Sequence, residues 1–148
     1  MTLQERLSQD IKTAMLAKDA ERLGTLRLLK SALGYAQIER KSETTSDAEF
    51  VAMVQKEVKK RRDSIEQFEK GGRPELATIE KQEITVLETF LPQPLSEAEL
   101  EDLVRITIHE LAATSKKEMG QVIKTVQAKA AGRAEGKTIS ALVGKLLP

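Results

Sequence analysis

The side chains best suited to chemistry gather late in the chain, as Lys116, Lys117, Lys124, Lys129, Arg133 and Lys137. Ser115 to Pro148 holds seven basic and two acidic residues, net +5, whereas Leu95 to Thr114 holds one basic and five acidic, net −4. Such segregation makes a polarised surface. Lys117, Gln121 and Lys124 fall at i, i+4 and i+7, which puts them on one helix face, apart from the apolar stripe of Met119, Val122 and Val126. Ser115 with Glu118 has the spacing of a capping box, so Lys116 and Lys117 are expected in a helix's first turn. The macrodipole disfavours cations there, while the free backbone N–H groups suit an anion, and a bound phosphate would relieve both. The alternative is two lysines extended into solvent at a cost of a few tenths of a kcal/mol. Gly120 costs the helix up to about 1 kcal/mol against alanine, and close packing of another helix is the expected reason. The candidate nucleic-acid-binding set is therefore Lys116, Lys117, Gly120, Lys124, Lys129, Arg133 and Lys137.

A second basic run, Lys59, Lys60, Arg61 and Arg62, is a possible second face. At about 100° per residue it wraps round its helix. Glu57 stands four before Arg61, Asp63 four after Lys59 and Glu66 four after Arg62, so self-neutralisation on a solvated face is the preferred reading. No residue set points to catalysis. His109 is the single histidine and there is no cysteine, which removes Cys-His pairs, thiolate metal sites and multi-histidine zinc sites. The acids sit at spacings of caps and ion pairs, and no Gly-rich phosphate loop occurs, so neither cofactor nor metal is expected. With 3% aromatic residues there is no stacking platform for single strands, and an RNA reader would have to read shape and phosphates.

The elements that must position these groups read as helices throughout. Phe50, Val54, Val58, Ile65 and Phe68 form one stripe, with Arg61 its polar step, and Leu76, Ile79, Ile84, Leu87, Phe90 and Leu91 form the facing stripe. Between them lies Gly71-Gly72-Arg73-Pro74, in which Gly71 is expected to take positive φ and Pro74 to enter the next helix's first turn. Upstream, Thr2 with Glu5 caps a helix to about Lys18, and Asp19 caps a second whose Leu23, Leu26, Leu29, Leu33, Ala36 and Ile38 face inward. Pro92-Gln93-Pro94 breaks the helical pattern and marks the expected boundary, with a flexible joint there. Beyond it Ser96 with Glu99 caps a fifth helix, Ser115 with Glu118 a sixth ending at Gly132, and Ile139 to Leu147 supply a last one. The fold class is all-α, with an N-terminal four-helix domain over residues 1–92 and a small three-helix tail domain over 95–148.

With 148 residues, 40% hydrophobic and 32% charged, a single core or a core plus an appendage is feasible. The net charge of +1 leaves any nucleic-acid surface to local segregation. No window approaches the roughly 18 to 20 apolar residues of a membrane span, and the cysteine-free composition fits a reducing compartment, so a cytoplasmic protein with no membrane partner is expected.

The chain as a whole resembles the YqeY-like proteins, which are similar to the C-terminal region of the B subunit of the tRNA-dependent Asp/Glu amidotransferase. The resemblance is carried by Leu26-Arg27-Leu28-Leu29-Lys30, Glu57 through Ser64, Phe68 through Arg73, Phe90 through Ser96, and Met119-Gly120-Gln121-Val122, with Gly132 and Gly136 around Arg133-Ala134-Glu135. It implies an all-helical domain with a three-helix tail, and a tail like the one that holds the outer corner of tRNA in the amidotransferase. The family is linked to carbon-nitrogen ligation with glutamine as amide donor, but that chemistry belongs to other domains and subunits, so the resemblance carries binding and not catalysis. Three functions stand: a tRNA-binding module or accessory factor, an adaptor docking on an aminoacyl-tRNA synthetase or amidotransferase, and an enzyme of amide transfer.

Overall fold

The computed structural model describes residues 1–148 and is all-helical, with no strand. Its seven α-helices are α1 (Leu3–Leu16), α2 (Ala20–Arg40), α3 (Asp47–Lys70), α4 (Pro74–Glu88), α5 (Glu97–Glu110), α6 (Met119–Ala130) and α7 (Gly136–Leu146). The chain divides into two compact units, Met1–Leu91 and Pro92–Pro148. No helix is long and apolar enough to cross a membrane.

In the first unit the helix starts follow local chemistry. Thr2 Oγ1 accepts the Glu5 N–H at 3.1 Å and Ser46 Oγ accepts the Glu49 N–H at 3.2 Å, while each glutamate returns to its cap's own N–H. The Leu3 N–H donates to Asp47 Oδ1 at 2.9 Å, which ties the start of α1 to the start of α3. The core is built from Leu7 and Ala14, from Leu26, Leu29 and Leu33, from Phe50, Val54, Val58 and Ile65, and from Ala77, Ile84, Leu87 and Phe90. Phe50 and Phe90 meet with ring centroids 5.6 Å apart, and the Arg6 guanidinium lies 4.5 Å from the Phe90 centroid while donating to the Thr89 carbonyl at 2.7 Å. That arrangement suits both the ring quadrupole and a cation whose head must stay hydrogen-bonded.

Four expectations about this unit are corrected. Ile38 is 75% exposed, because five residues beyond Leu33 it has turned well away from the core stripe. Ile79 is 52% exposed and Ala77 takes its place, since Ala77 and not Ile79 falls seven before Ile84. The positive φ between α3 and α4 belongs to Gly72, at +72°, whereas Gly71 has φ −84°. The last carbonyls of α3 are closed by the Gly71, Gly72 and Arg73 N–H groups, and Gly72 makes the left-handed step. α1 ends at Leu16, because Lys18 turns left-handed.

In the second unit Ser96 Oγ accepts the Glu99 N–H at 3.1 Å to open α5. Leu100 and Val104, Val122, Val126 and Ala130, and Ile139 and Val143 make the core. Two glycines here are closely approached: a Cβ on Gly136 would stand 3.0 Å from Gln127 Nε2 and one on Gly144 3.3 Å from Met119 Cε, so the ends of those flexible side chains would have to give. Gly132 has φ +88°, but α6 has already ended one residue earlier at left-handed Ala131. Gly136 opens α7. The Leu95 N–H donates to the Arg133 carbonyl at 2.8 Å and Arg133 Nε donates to the Gln93 carbonyl at 2.8 Å, so the Gln93–Leu95 stretch is bonded into this unit. Four non-glycine residues hold left-handed φ just past helix ends: Lys18, Lys41, Ala112 and Ala131, between 47° and 56°.

Candidate nucleic-acid interface

The start of α6 is built differently from a simple capped helix. Lys116–Glu118 form a single 3-10 turn and the α-helix proper begins at Met119. Glu118 Oε2 accepts the N–H groups of Thr114 and Ser115. The turn therefore already holds an anion of its own, which answers the free donors there as a phosphate would. Lys116 and Lys117 extend exposed from this turn, and Lys124 is exposed two turns beyond Lys117; none of the three is engaged by another side chain of the protein.

Between them Gly120 and Gln121 are exposed as well, and Ala128 continues the same side. The expectation that Gly120 accommodates a packed helix is overturned, because a Cβ there would meet nothing within 4 Å. The face from Lys117 to Ala128 is thus low in relief at Gly120 and cationic at both ends. A phosphate chain can approach the α6 backbone there without displacing any side chain. His109 is exposed in the last turn of α5.

The remaining basic residues of the tail are employed inside it. Lys129 Nζ reaches α5, donating to Thr107 Oγ1 at 3.3 Å and pairing with the Glu110 carboxylate. Thr107 is fully buried, and its hydroxyl donates to the Leu103 carbonyl at 2.8 Å. Sequence reading passed over Thr107, although its place seven after Leu100 put it on the buried stripe. Arg133 is partly buried and its Nε is spent on the Gln93 carbonyl. Lys137 is exposed in the first turn of α7 and is engaged within the chain. The structure therefore brings Lys116, Lys117, Gly120 and Lys124 together as an open face and turns Lys129 and Arg133 to structural ends.

Lys129, Arg133, Leu95, Leu103 and Ile106, with Glu99 and Asp102, line an open groove of about 360 Å³. The backbone N–H of Ser96 holds the Glu99 carboxyl below the usual carboxylate range, with Arg133 adding to the effect.

The second basic run is divided too. Arg61 is only 12% exposed and sits among three carboxylates: Nη1 lies 3.4 Å from Glu57 Oε1, Nη2 3.3 Å from Glu83 Oε2, and Nε 4.0 Å from Glu80 Oε2. Lys60 pairs with Glu57 at 3.1 Å, Arg62 is engaged within the chain, and Lys59 stands exposed. Self-neutralisation holds for Lys60 and Arg61, and for Arg61 it extends across the hairpin to α4. No group of three or more His, Cys, Asp or Glu side chains is arranged to hold a metal ion.

A family model described as "Yqey-like protein" matches residues 4–147. A mitochondrial protein of Pyrenophora tritici-repentis, named altered inheritance of mitochondria protein 41, is 30% identical over 131 residues, covering 87% of this chain and 71% of its own length. The protein of the same name in Lachancea thermotolerans is 33% identical over 128 residues, covering 84% of this chain and 68% of its own. An uncharacterised protein of Schizosaccharomyces pombe is 33% identical over 94 residues, 64% of this chain and 76% of its own. The expectation of a cytoplasmic protein is overturned by the Pyrenophora and Lachancea relatives, which are named as mitochondrial. The feature behind it, a chain without cysteine, distinguishes no reducing compartment from another.

Proposed function

The chain belongs to the YqeY-like family, and on that footing we propose that it is a non-catalytic module whose three-helix tail domain, 95–148, holds folded RNA by its phosphates, tRNA being the favoured class. The observation that carries the reading is the α6 face, where Lys116, Lys117 and Lys124 are exposed and unpaired around the bare backbone of Gly120. The resemblance to the tail of the amidotransferase B subunit supports it, as does the charge polarity of the tail. The four-helix domain, 1–92, serves in this reading as the scaffold joined to that module. The contacts are electrostatic and blind to sequence, as cation-to-phosphate contacts are.

The test is filter binding of folded tRNA across a salt series. Each phosphate neutralised contributes about 0.7–0.9 to the slope of log affinity against log salt. The Lys117→Glu/Lys124→Glu double variant should weaken binding and flatten that slope, whereas Lys59→Glu/Lys60→Glu should do less. Unchanged affinity and slope in the first pair, with binding abolished in the second, would place the RNA on the other face. A second reading, an adaptor that docks on a synthetase or amidotransferase, is favoured by a separate observation: Leu28, Tyr35 and Ile38 stand exposed on α2.

A further inference from the structure

α2 presents two faces, and the core uses only one. Leu26, Leu29 and Leu33 point inward, while Glu21, Gly24, Leu28, Ser31, Tyr35 and Ile38 are all exposed on the side away from them. Those six recur at alternating steps of three and four residues, the spacing of a seam between two paired helices. Leu28, Tyr35 and Ile38 are 53%, 76% and 75% exposed, so the seam's large members lie in water over most of their surface. Its small members, Gly24 and Ser31, alternate with them. Gly24 weakens a helix interior relative to alanine, yet a Cβ there would meet nothing within 4 Å. Nothing inside the chain asks for a glycine at that place.

We propose that this face receives a second copy of the same chain, α2 against α2 in antiparallel order about a two-fold axis. In that register Tyr35 of one copy faces Gly24 of the other, Leu28 faces Ser31, and Ile38 lies along the stem of Glu21. Each large side chain is thereby opposed to a small or flexible one, and each such contact occurs twice, as a self-complementary interface requires. Charge completes the fit. Lys18 and Glu21 at one end, and Glu39 and Lys41 at the other, are exposed and unpaired within the chain. Antiparallel packing in that register brings Lys18 within two residues of the level of Glu39 of the other copy, within reach of a long side chain, and sets the two helix dipoles head to tail. A parallel pair would instead stack Tyr35 on Tyr35 and leave the glycines facing each other.

The test is sedimentation velocity of the full chain from about 1 µM to about 1 mM, the range in which an interface of a few large side chains associates. A monomer–dimer transition is expected, and Tyr35→Glu should move its midpoint at least tenfold higher. Gly24→Gln is the discriminating variant: it should raise the melting temperature of the dilute monomer, because the site is open and helical, while weakening the dimer at least tenfold. The native chain has no cysteine, so mixing the Leu28→Cys and Ser31→Cys variants under mild oxidation reads the register. Mixed 28–31 cross-links should form faster than either self-pair. A chain that stays monomeric throughout, variants that associate like the parent, or self-pairs that outrun the mixed pair would each overturn the proposal.

Discussion

Replacing Arg61 by methionine removes the cation that Glu57, Glu80 and Glu83 share while keeping an aliphatic stem. Nη1 donates to the Glu57 carbonyl at 3.1 Å, and Nε and Nη2 both point at Glu83 Oε2, at 3.4 and 3.3 Å. Breaking a buried pair costs about 3–5 kcal/mol, chiefly from the charge left behind. Here the carboxylates of Glu57, Glu80 and Glu83 retain 14%, 23% and 18% of their exposure and can turn partly to water. The expected loss is therefore about 2–3 kcal/mol, close to two charge-assisted hydrogen bonds. For a unit the size of Met1–Leu91 that lowers the melting temperature by roughly 8–20 °C.

The pH dependence follows from Glu80, whose carboxyl is held above its usual value by burial first and by Glu83 second, against the pull of Arg61. A raised carboxyl pKa means that the ionised form penalises the fold at neutral pH and that the penalty fades as pH falls through the folded value. Without Arg61 the carboxyl rises further, so the defect of Arg61→Met should be larger at pH 7 than near pH 5, and Glu80→Gln should restore part of it at pH 7. Circular-dichroism melting of the full chain at both pH values reads this out. A variant that melts within a degree or two of the parent, with no pH dependence, would show that Arg61 does not organise the hairpin.

Three further outcomes are expected. Phe90→Ala should cost about 3–5 kcal/mol by chemical denaturation, since the ring is 2% exposed and loses both Phe50 and the Arg6 guanidinium. Ser96→Ala should cost about 1 kcal/mol through the lost cap on α5. Glu99→Gln should be distinguishable from the parent at pH 7 but not in acid, because the Glu99 carboxyl is held below the usual carboxylate range by the Ser96 N–H and its contribution is lost as pH falls through the folded value.

Signals that act within four residues were readable before the structure was. Ser46 with Glu49 and Ser96 with Glu99 declare their helix starts, and the Phe50, Val54, Val58 stripe declares its buried face. Residue type alone misled where direction mattered: Ile38 and Ile79 are as apolar as any core residue, but their place on the helix turns them outward. Partners distant in sequence were invisible. Lys129 finds Glu110 and Thr107 on another helix, Arg133 finds Gln93 forty residues back, and Arg61 finds Glu83 across the hairpin. Charge counting placed Lys129 and Arg133 on the same binding face as Lys116, Lys117 and Lys124, and only tertiary packing separates the two sets.

The left-handed helix ends at Lys18, Lys41, Ala112 and Ala131 carry a consequence when set beside the open glycines of α2 and α6. A left-handed L-residue costs roughly 1 kcal/mol, and a glycine inside a helix costs about as much. This chain does both at once: side chains stand where glycine would be comfortable, and Gly24, Gly34 and Gly120 stand where alanine would be, with no neighbour crowding them. No contact within the chain accounts for glycine at those three places, and each is a helix-interior position where alanine would be about 1 kcal/mol more stable.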